Sequence, residues 1–292
     1  MAFSPRGVMA SKTSLDAQYD VRAAFPDFPK HVQEWRRRSE ASCRKLNWTL
    51  AIPYGQHASM KLDVCRPEHA AGPIHVFFHG GYWQAMGREF FNFIADSLID
   101  AGVTVVIPSY PLAPAASMGE IVAAASAAML WTRNHAAALG ADPERISVSG
   151  HSAGGHLAAM ICAMDWRDHL PDQQENLAST GVCISGVYDL EPIKGTYLND
   201  TLNLQEEDVT AYSPVRLITP RTAPPLLLVV GSKETEAFHS QQLHFGNRCL
   251  VQKRSISAVT VPDKDHFEIV SEVYSTDTTA FAMLLHAIFL NG

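Results

Sequence analysis

The chain has 292 residues, 47% of them hydrophobic and 18% charged, with a formal net charge of −7. That composition describes one soluble globule with a single large core, not a disordered or fibrous chain, and the acidic balance argues against a nucleic-acid partner, because phosphates need a basic surface. The five cysteines are scattered without a C-x-x-C pair, and no apolar stretch reads as a secretory signal or a bilayer span, so the expected setting is the reducing cytoplasm with no membrane partner.

Residues 1–45 carry little β signal. "DFPKHVQEWRRRSEASCRKL" reads as a helix beside Pro26 and Pro29, and the whole segment is expected to be a helical arm packed on a main domain of residues 46–292. "LNWTLAI" and "MKLDVCR" look like a leading pair of strands. "IHVFFHG", "VTVVIPS", "RISVSG", "GVCISG", "PLLLVVG" and "SAVTVP" are short, β-branched runs bounded by Gly or Pro. Such runs suit parallel strands covered on both faces. Between them lie helical candidates, "REFFNFIADSLIDAG", "MGEIVAAASAAMLWTRNHAAALG", "AGGHLAAMICAM", "FHSQQLHFGNRCL" and "TDTTAFAMLLHAIFL". The alternation predicts an α/β fold with a mostly parallel central sheet of about eight strands and helices on both faces. Sites in such sheets form at the carboxyl ends of the strands.

At one of those ends, Gly150-His151-Ser152-Ala153-Gly154 fits G-x-S-x-G, a tight strand-to-helix turn that lifts a serine above the sheet. The plain alternative is an ordinary turn with a helix-capping serine. A strand signal before it and an Ala/Leu helix signal after it favour the nucleophile. A serine hydroxyl needs a base to take its proton, and the base needs an orienting acid. The chain order that accompanies this turn is Ser, then Asp or Glu, then His. His266 follows the last strand signal, whereas His239, His244 and His286 fall inside helical patterns and His169 comes before the acid position. After "PLLLVVG" two acids compete. Glu234 lies nearer the strand end and is preferred, while Glu236 sits where a helix begins and suits its positive end. Asp263 and Asp265 read as loop residues. In "FFHGGYW", Gly80 and Gly81 supply a small-residue loop whose N–H groups, with that of Ala153, are candidates for an oxyanion hole. His79, His151 and His156 read as structural groups. No H-E-x-x-H or similar ligand spacing accompanies the 13 histidines, so neither a metal nor a cofactor is expected.

Taken together, "HGGYW", "GHSAGGHL", "SGVYDLEPI", "GSKETEAFHSQQ" and "DHF" resemble the α/β-hydrolase kynurenine formamidases (arylformamidases) and their esterase-like relatives. The resemblance runs from about Leu15 to the C-terminus. It implies the α/β-hydrolase fold, Ser152 as nucleophile, Glu234 as acid, His266 as base, and an oxyanion hole at Gly80, Gly81 and Ala153. It also implies a small-molecule substrate, an aryl formamide or acyl amide, with carboxylesters or carbamates as the alternative and a non-catalytic binding protein as a remote one. Where the family carries aspartate before a Ser-Pro-Glu-Phe-like stretch, this chain has glutamate, which orients a histidine equally well. Tyr82 and Trp83, beside the glycine loop, and Tyr188 are candidates for an aromatic substrate wall, with core packing as the other reading. A cap insertion is expected around residues 190–222. A homodimer is compatible with the sequence.

Overall fold

The computed structural model describes residues 12–68, 72–170, 174–219 and 224–289. The first eleven residues, which carry part of the N-terminal reading, and residues 220–222 of the expected cap lie outside them. Eight strands form one sheet: β1 (Trp48–Pro53), β2 (Lys61–Cys65), β3 (Ile74–Phe78), β4 (Thr104–Pro108), β5 (Ile146–His151), β6 (Thr180–Ile184), β7 (Leu226–Gly231) and β8 (Ile256–Val261). Their spatial order is β1-β2-β4-β3-β5-β6-β7-β8. β2 runs antiparallel to both neighbours, and every other adjacent pair is parallel. Every residue of β3 to β7 is buried, which accounts for their unbroken apolar runs; the edge strands β1 and β8 are exposed or half-buried except at Val261. From β3 the chain steps outward to β4 and then returns across β3 to β5. The crossovers reverse direction there, which places helices on both faces and opens a crevice beyond the ends of β3 and β5.

The first segment carries α1 (Lys12–Tyr19), α2 (Val21–Ala24) and α3 (Phe28–Lys45). α3 meets the rest of the chain through Trp35, whose ring lies 5.3 Å from Phe91 and 6.3 Å from Phe267. The connections are α4 (Ala95–Ile99), α5 (Met118–His135) and α6 (Ala153–Ala163), and α5 starts at a reciprocal Ser117–Glu120 capping box. Four short helices, α7 (Glu191–Lys194), α8 (Asn199–Leu202), α9 (Glu206–Tyr212) and α10 (Pro214–Leu217), occupy the stretch between β6 and β7. α11 (Glu236–Val251) precedes β8, and α12 (Glu268–Val273) and α13 (Thr279–Phe289) follow it.

One element departs from its periodicity. "REFFNFIADSLIDAG" forms two 3₁₀ turns, Arg88–Phe90 and Asn92–Ile94, before the five-residue α4, instead of one long helix. Tertiary partners outcompete the helix here: Asn92 Nδ2 donates to Asp63 Oδ2 (3.1 Å) and Phe93 N donates to Ser39 Oγ (3.3 Å). The tighter turn aims Phe91 into the core between Trp35 and Phe77.

Candidate active site

The turn from β5 into α6 leaves Ser152 at φ 56° and ψ −118°, a conformation that costs a non-glycine residue on the order of 1–3 kcal/mol. The glycines around it are required by contact. A β-carbon at Gly150 would lie 2.1 Å from the Gly154 carbonyl oxygen, and one at Gly154 would lie 1.9 Å from that of Phe78. Ser152 N donates to Ile184 O at 2.8 Å, which ties the strained turn to β6. Ala153 opens α6, so its N–H has no acceptor within the helix and lies at the positive end of the helix dipole.

Glu234 and His266 come from the loops after β7 and β8. His266 Nδ1–H donates to Glu234 Oε2 at 2.7 Å. The other carboxylate oxygen, Oε1, accepts from the Gly231 amide at 2.8 Å and the Ser185 hydroxyl at 2.5 Å. Glu234 is thus held at both oxygens, and Nε2 of His266 is left for a second partner. Ser152 and His266 line one cavity of about 280 Å³. Phe238 packs 4.3 Å from the His266 ring, and His151 Nε2–H donates to the His266 carbonyl at 2.7 Å. Burial, reinforced by nearby His266, pushes the His151 pKa well below the usual histidine value. His151 is therefore a neutral brace for the backbone of its neighbour.

The glycine loop is fixed by His79, read from the sequence as a structural group, and by Tyr110, which the sequence did not single out. His79 Nδ1–H donates to Gly80 O at 2.8 Å, and Tyr110 Oη–H donates to His79 O at 2.7 Å, with the two rings stacked 4.3 Å apart. Burial lowers the His79 pKa to about 4, so the ring stays neutral. Because a trans peptide points its C=O and N–H in opposite directions, pinning Gly80 O turns the Gly81 N–H away from His79. A β-carbon at Gly80 would come within 3.2 Å of Ser152 Cβ, so the loop lies directly against the serine. Gly81 has φ +111°, which only glycine adopts freely.

The candidate wall is only partly where it was expected. Tyr82 lines the cavity and donates its hydroxyl to Tyr19 O at 2.7 Å. Trp83 and Tyr188 do not line it and are corrected to core residues. Tyr82 and Trp83 both have positive φ, 50° and 57°, and this double left-handed step turns the indole inward, edge-on to His156 at 5.0 Å. Tyr188 stacks on Phe245 at 4.4 Å. Phe28, Trp35, Phe91 and Phe267 supply the cavity's aromatic surface instead, two of them from the first 45 residues.

Of the competing acids, Glu236 is exposed at the start of α11, and Asp265 Oδ1 caps the Phe267 and Glu268 amides. A second serine–histidine contact, Ser149 Oγ to His75 Nε2 at 2.6 Å, is fully buried and lines none of this cavity. Among the described residues no group of three or more His, Cys, Asp or Glu side chains is placed to hold a metal ion, and no helix is long and apolar enough to cross a membrane.

Residues 75–269 match the alpha/beta hydrolase fold family. The chain is 27% identical to kynurenine formamidase of Danio rerio over 95% of its length and 97% of that protein's. It is 29% identical to kynurenine formamidase of Salmo salar, covering 92% of each. Among solved structures, a Silicibacter sp. TM1040 protein provisionally assigned as a thioesterase superposes with a TM-score of 0.81 at 27% identity, over 93% of this chain and 98% of that one.

Proposed function

We propose, from the premise that this chain belongs to the alpha/beta hydrolase fold family and is a hydrolase, that it cleaves aryl formamides of the N-formylkynurenine type. The observation that carries this reading is the extent of the match to kynurenine formamidases. A match over 95% of the chain takes in most of the first 45 residues, and these are the residues that give the cavity Val21, Phe28 and Trp35. The aligned stretch therefore takes in the segment that supplies part of the proposed substrate wall as well as the sheet. The small volume of about 280 Å³ suits one aryl ring with a short acyl group.

In this reading Ser152 Oγ attacks the formyl carbon while His266 Nε2 takes its proton. The negative charge that develops on the carbonyl oxygen is met by the N–H groups of Ala153 and of Gly80 or Gly81. Collapse expels the aryl amine, protonated by His266, and leaves a formyl ester on Ser152. Water then loses a proton to His266 and attacks that ester. Formate departs and the proton returns to Ser152. Glu234, bonded to Nδ1–H, holds His266 in the tautomer with Nε2 free. The unpaired state of all five cysteines, four of them buried, supports a reducing compartment such as the cytoplasm.

The test is a turnover panel of matched substrates: an aryl formamide, an aryl acetamide, p-nitrophenyl esters of increasing chain length, an acyl thioester and an aryl carbamate. The formamide is expected to give the highest kcat/KM by tenfold or more. An ester, thioester or carbamate that outruns it would replace the amidase reading with an esterase one.

A further inference from the structure

The cavity is unbalanced in charge. Arg22 is the single Lys or Arg among the residues that line it, and no Asp or Glu lines it. The protein as a whole has a net charge of −7, so a cation at this position runs against the general surface. Arg22 lies on α2, and its guanidinium carbon is 4.9 Å from the centroid of the Phe28 ring, itself part of the cavity wall. It forms no ion pair with a described carboxylate. The nearest acid in sequence, Asp20, is engaged in capping α2 through the Ala23 amide at 3.1 Å.

The turn that carries Arg22 is fastened to the catalytic segments. Tyr82, next to the glycine loop, bonds Tyr19 O. Thr235 Oγ1, beside Glu234, donates to Gln18 O at 2.7 Å, and Gln241 Nε2 donates to the Tyr19 hydroxyl at 3.0 Å. Arg22 is thus held at a fixed place relative to Ser152 and His266, with its long side chain free to reach a ligand at the mouth.

We propose that Arg22 is a specificity-determining residue that binds a carboxylate on the substrate, so that the preferred substrate is an anionic aryl amide or ester. The guanidinium offers a planar pair of donors that matches a carboxylate bidentately. The aromatic surface of Phe28 and Phe267 takes the ring portion, and the scissile group meets Ser152 in the same cavity. This rests on the hydrolase reading of the same site, and it is independent of whether the bond cleaved is an amide or an ester.

The experiment uses two matched pairs on the full chain. The first pair is 4-(2-formamidophenyl)-4-oxobutanoate and its uncharged methyl ester. The second replaces the formamide in both with an O-acetyl group. The readout is the ratio of kcat/KM for the anionic member to that for the neutral member. Because Arg22 is solvent-exposed, the charge-assisted contact is discounted to a ratio of roughly tenfold in the wild type. Arg22→Ala is expected to bring the ratio near unity, and Arg22→Lys to retain part of it. Raising the ionic strength is expected to lower the ratio in the wild type and to leave it unchanged in Arg22→Ala. A ratio that Arg22→Ala leaves within twofold of wild type overturns the assignment. Cleavage of the acetyl pair without the formamide pair sinks the formamidase reading, and the ratio for the acetyl pair then still decides the role of Arg22.

Discussion

Replacing Glu234 by glutamine tests the site at its most constrained point. The side chain keeps its shape, and the structure dictates how the amide must sit. Oε1 of Glu234 accepts from a backbone N–H, that of Gly231 at 2.8 Å, and from the Ser185 hydroxyl. The amide oxygen of glutamine has to occupy that position, since an NH₂ there would face the fixed Gly231 donor. The NH₂ group is therefore presented to His266 Nδ1, now 2.7 Å from a donor where it had an acceptor. His266 answers by carrying its proton on Nε2, and a protonated Nε2 cannot take the proton of Ser152. A triad whose acid is exchanged for its amide loses about 10⁴ in kcat when the geometry is kept, equivalent to about 5 kcal/mol of barrier. The assay is kcat and KM with the favoured substrate of the panel, alongside thermal melting. We expect kcat to fall between a thousandfold and ten thousandfold, KM to change less than threefold and the melting temperature to move by only a few degrees. Glu236→Gln, exposed at the start of α11, serves as the control and should stay within twofold. A Glu234→Gln protein that is folded and retains a tenth of wild-type kcat would show that this carboxylate does not orient His266.

Three further outcomes follow from other features. Ser152→Gly should remove activity by roughly a millionfold while relieving the strain at φ 56°. Its melting temperature is expected to rise by a few degrees, and a lower value would show that the turn is not strained. Gly154→Ala should destabilise the fold by several kcal/mol or prevent soluble expression, because its β-carbon meets Phe78 O at 1.9 Å. Wild-type urea stability would contradict that contact. Burial lowers the pKa of His75 to about 3 and those of His79 and His156 to about 4, against about 6.5 when unfolded. Between those values the unfolded chain binds more protons, so stability is fully present above about pH 6.5 and lost as pH falls, by up to about 1.4 kcal/mol per unit for each ring. Urea midpoints measured from pH 7 to pH 4.5 should drop steeply, and a flat profile would mean that these rings protonate in the folded state.

The parts of the fold legible in the sequence are those set by local pattern. The apolar runs from "IHVFF" to "LLLVVG" coincide with β3 to β7 because full burial on both faces leaves no polar face to interrupt them. Chain order singles out Glu234 and His266, which lie 2.7 Å apart. What pattern does not carry is direction. Whether Trp83 faces the cavity or the core depends on the sign of φ at two consecutive residues, and no side-chain preference announces it. Ser185 acts through a hydroxyl bond to the Glu234 carboxylate, 49 residues away, and His79 through a ring-to-carbonyl bond to the very next residue, Gly80. Phe28 and Trp35 reach the cavity only once α3 has docked on segments hundreds of residues later in the chain, as Trp35 does on Phe267. The segment 88–102 shows the same limit, for its apolar spacing fits a helix, but the pull of Asp63 and Ser39 decides otherwise.

The way α1 to α3 meet the rest of the molecule bears on how such a protein diversifies. The three side chains proposed as the catalytic triad stand on loops rooted in a sheet whose central strands are wholly buried, so almost any change beneath them carries a penalty in folding. Residues 12–45 contribute no strand to that sheet. They touch the rest of the chain through ring contacts and hydrogen bonds such as Tyr82 to Tyr19 and Thr235 to Gln18. Changes at the exposed Arg22 or the half-buried Phe28 alter what reaches the serine at less cost to the fold than changes beneath it. Selection can retune the menu of accepted molecules by editing this outlying segment, and an engineer who exchanged it for that of another hydrolase would be swapping diets between catalysts that share one engine.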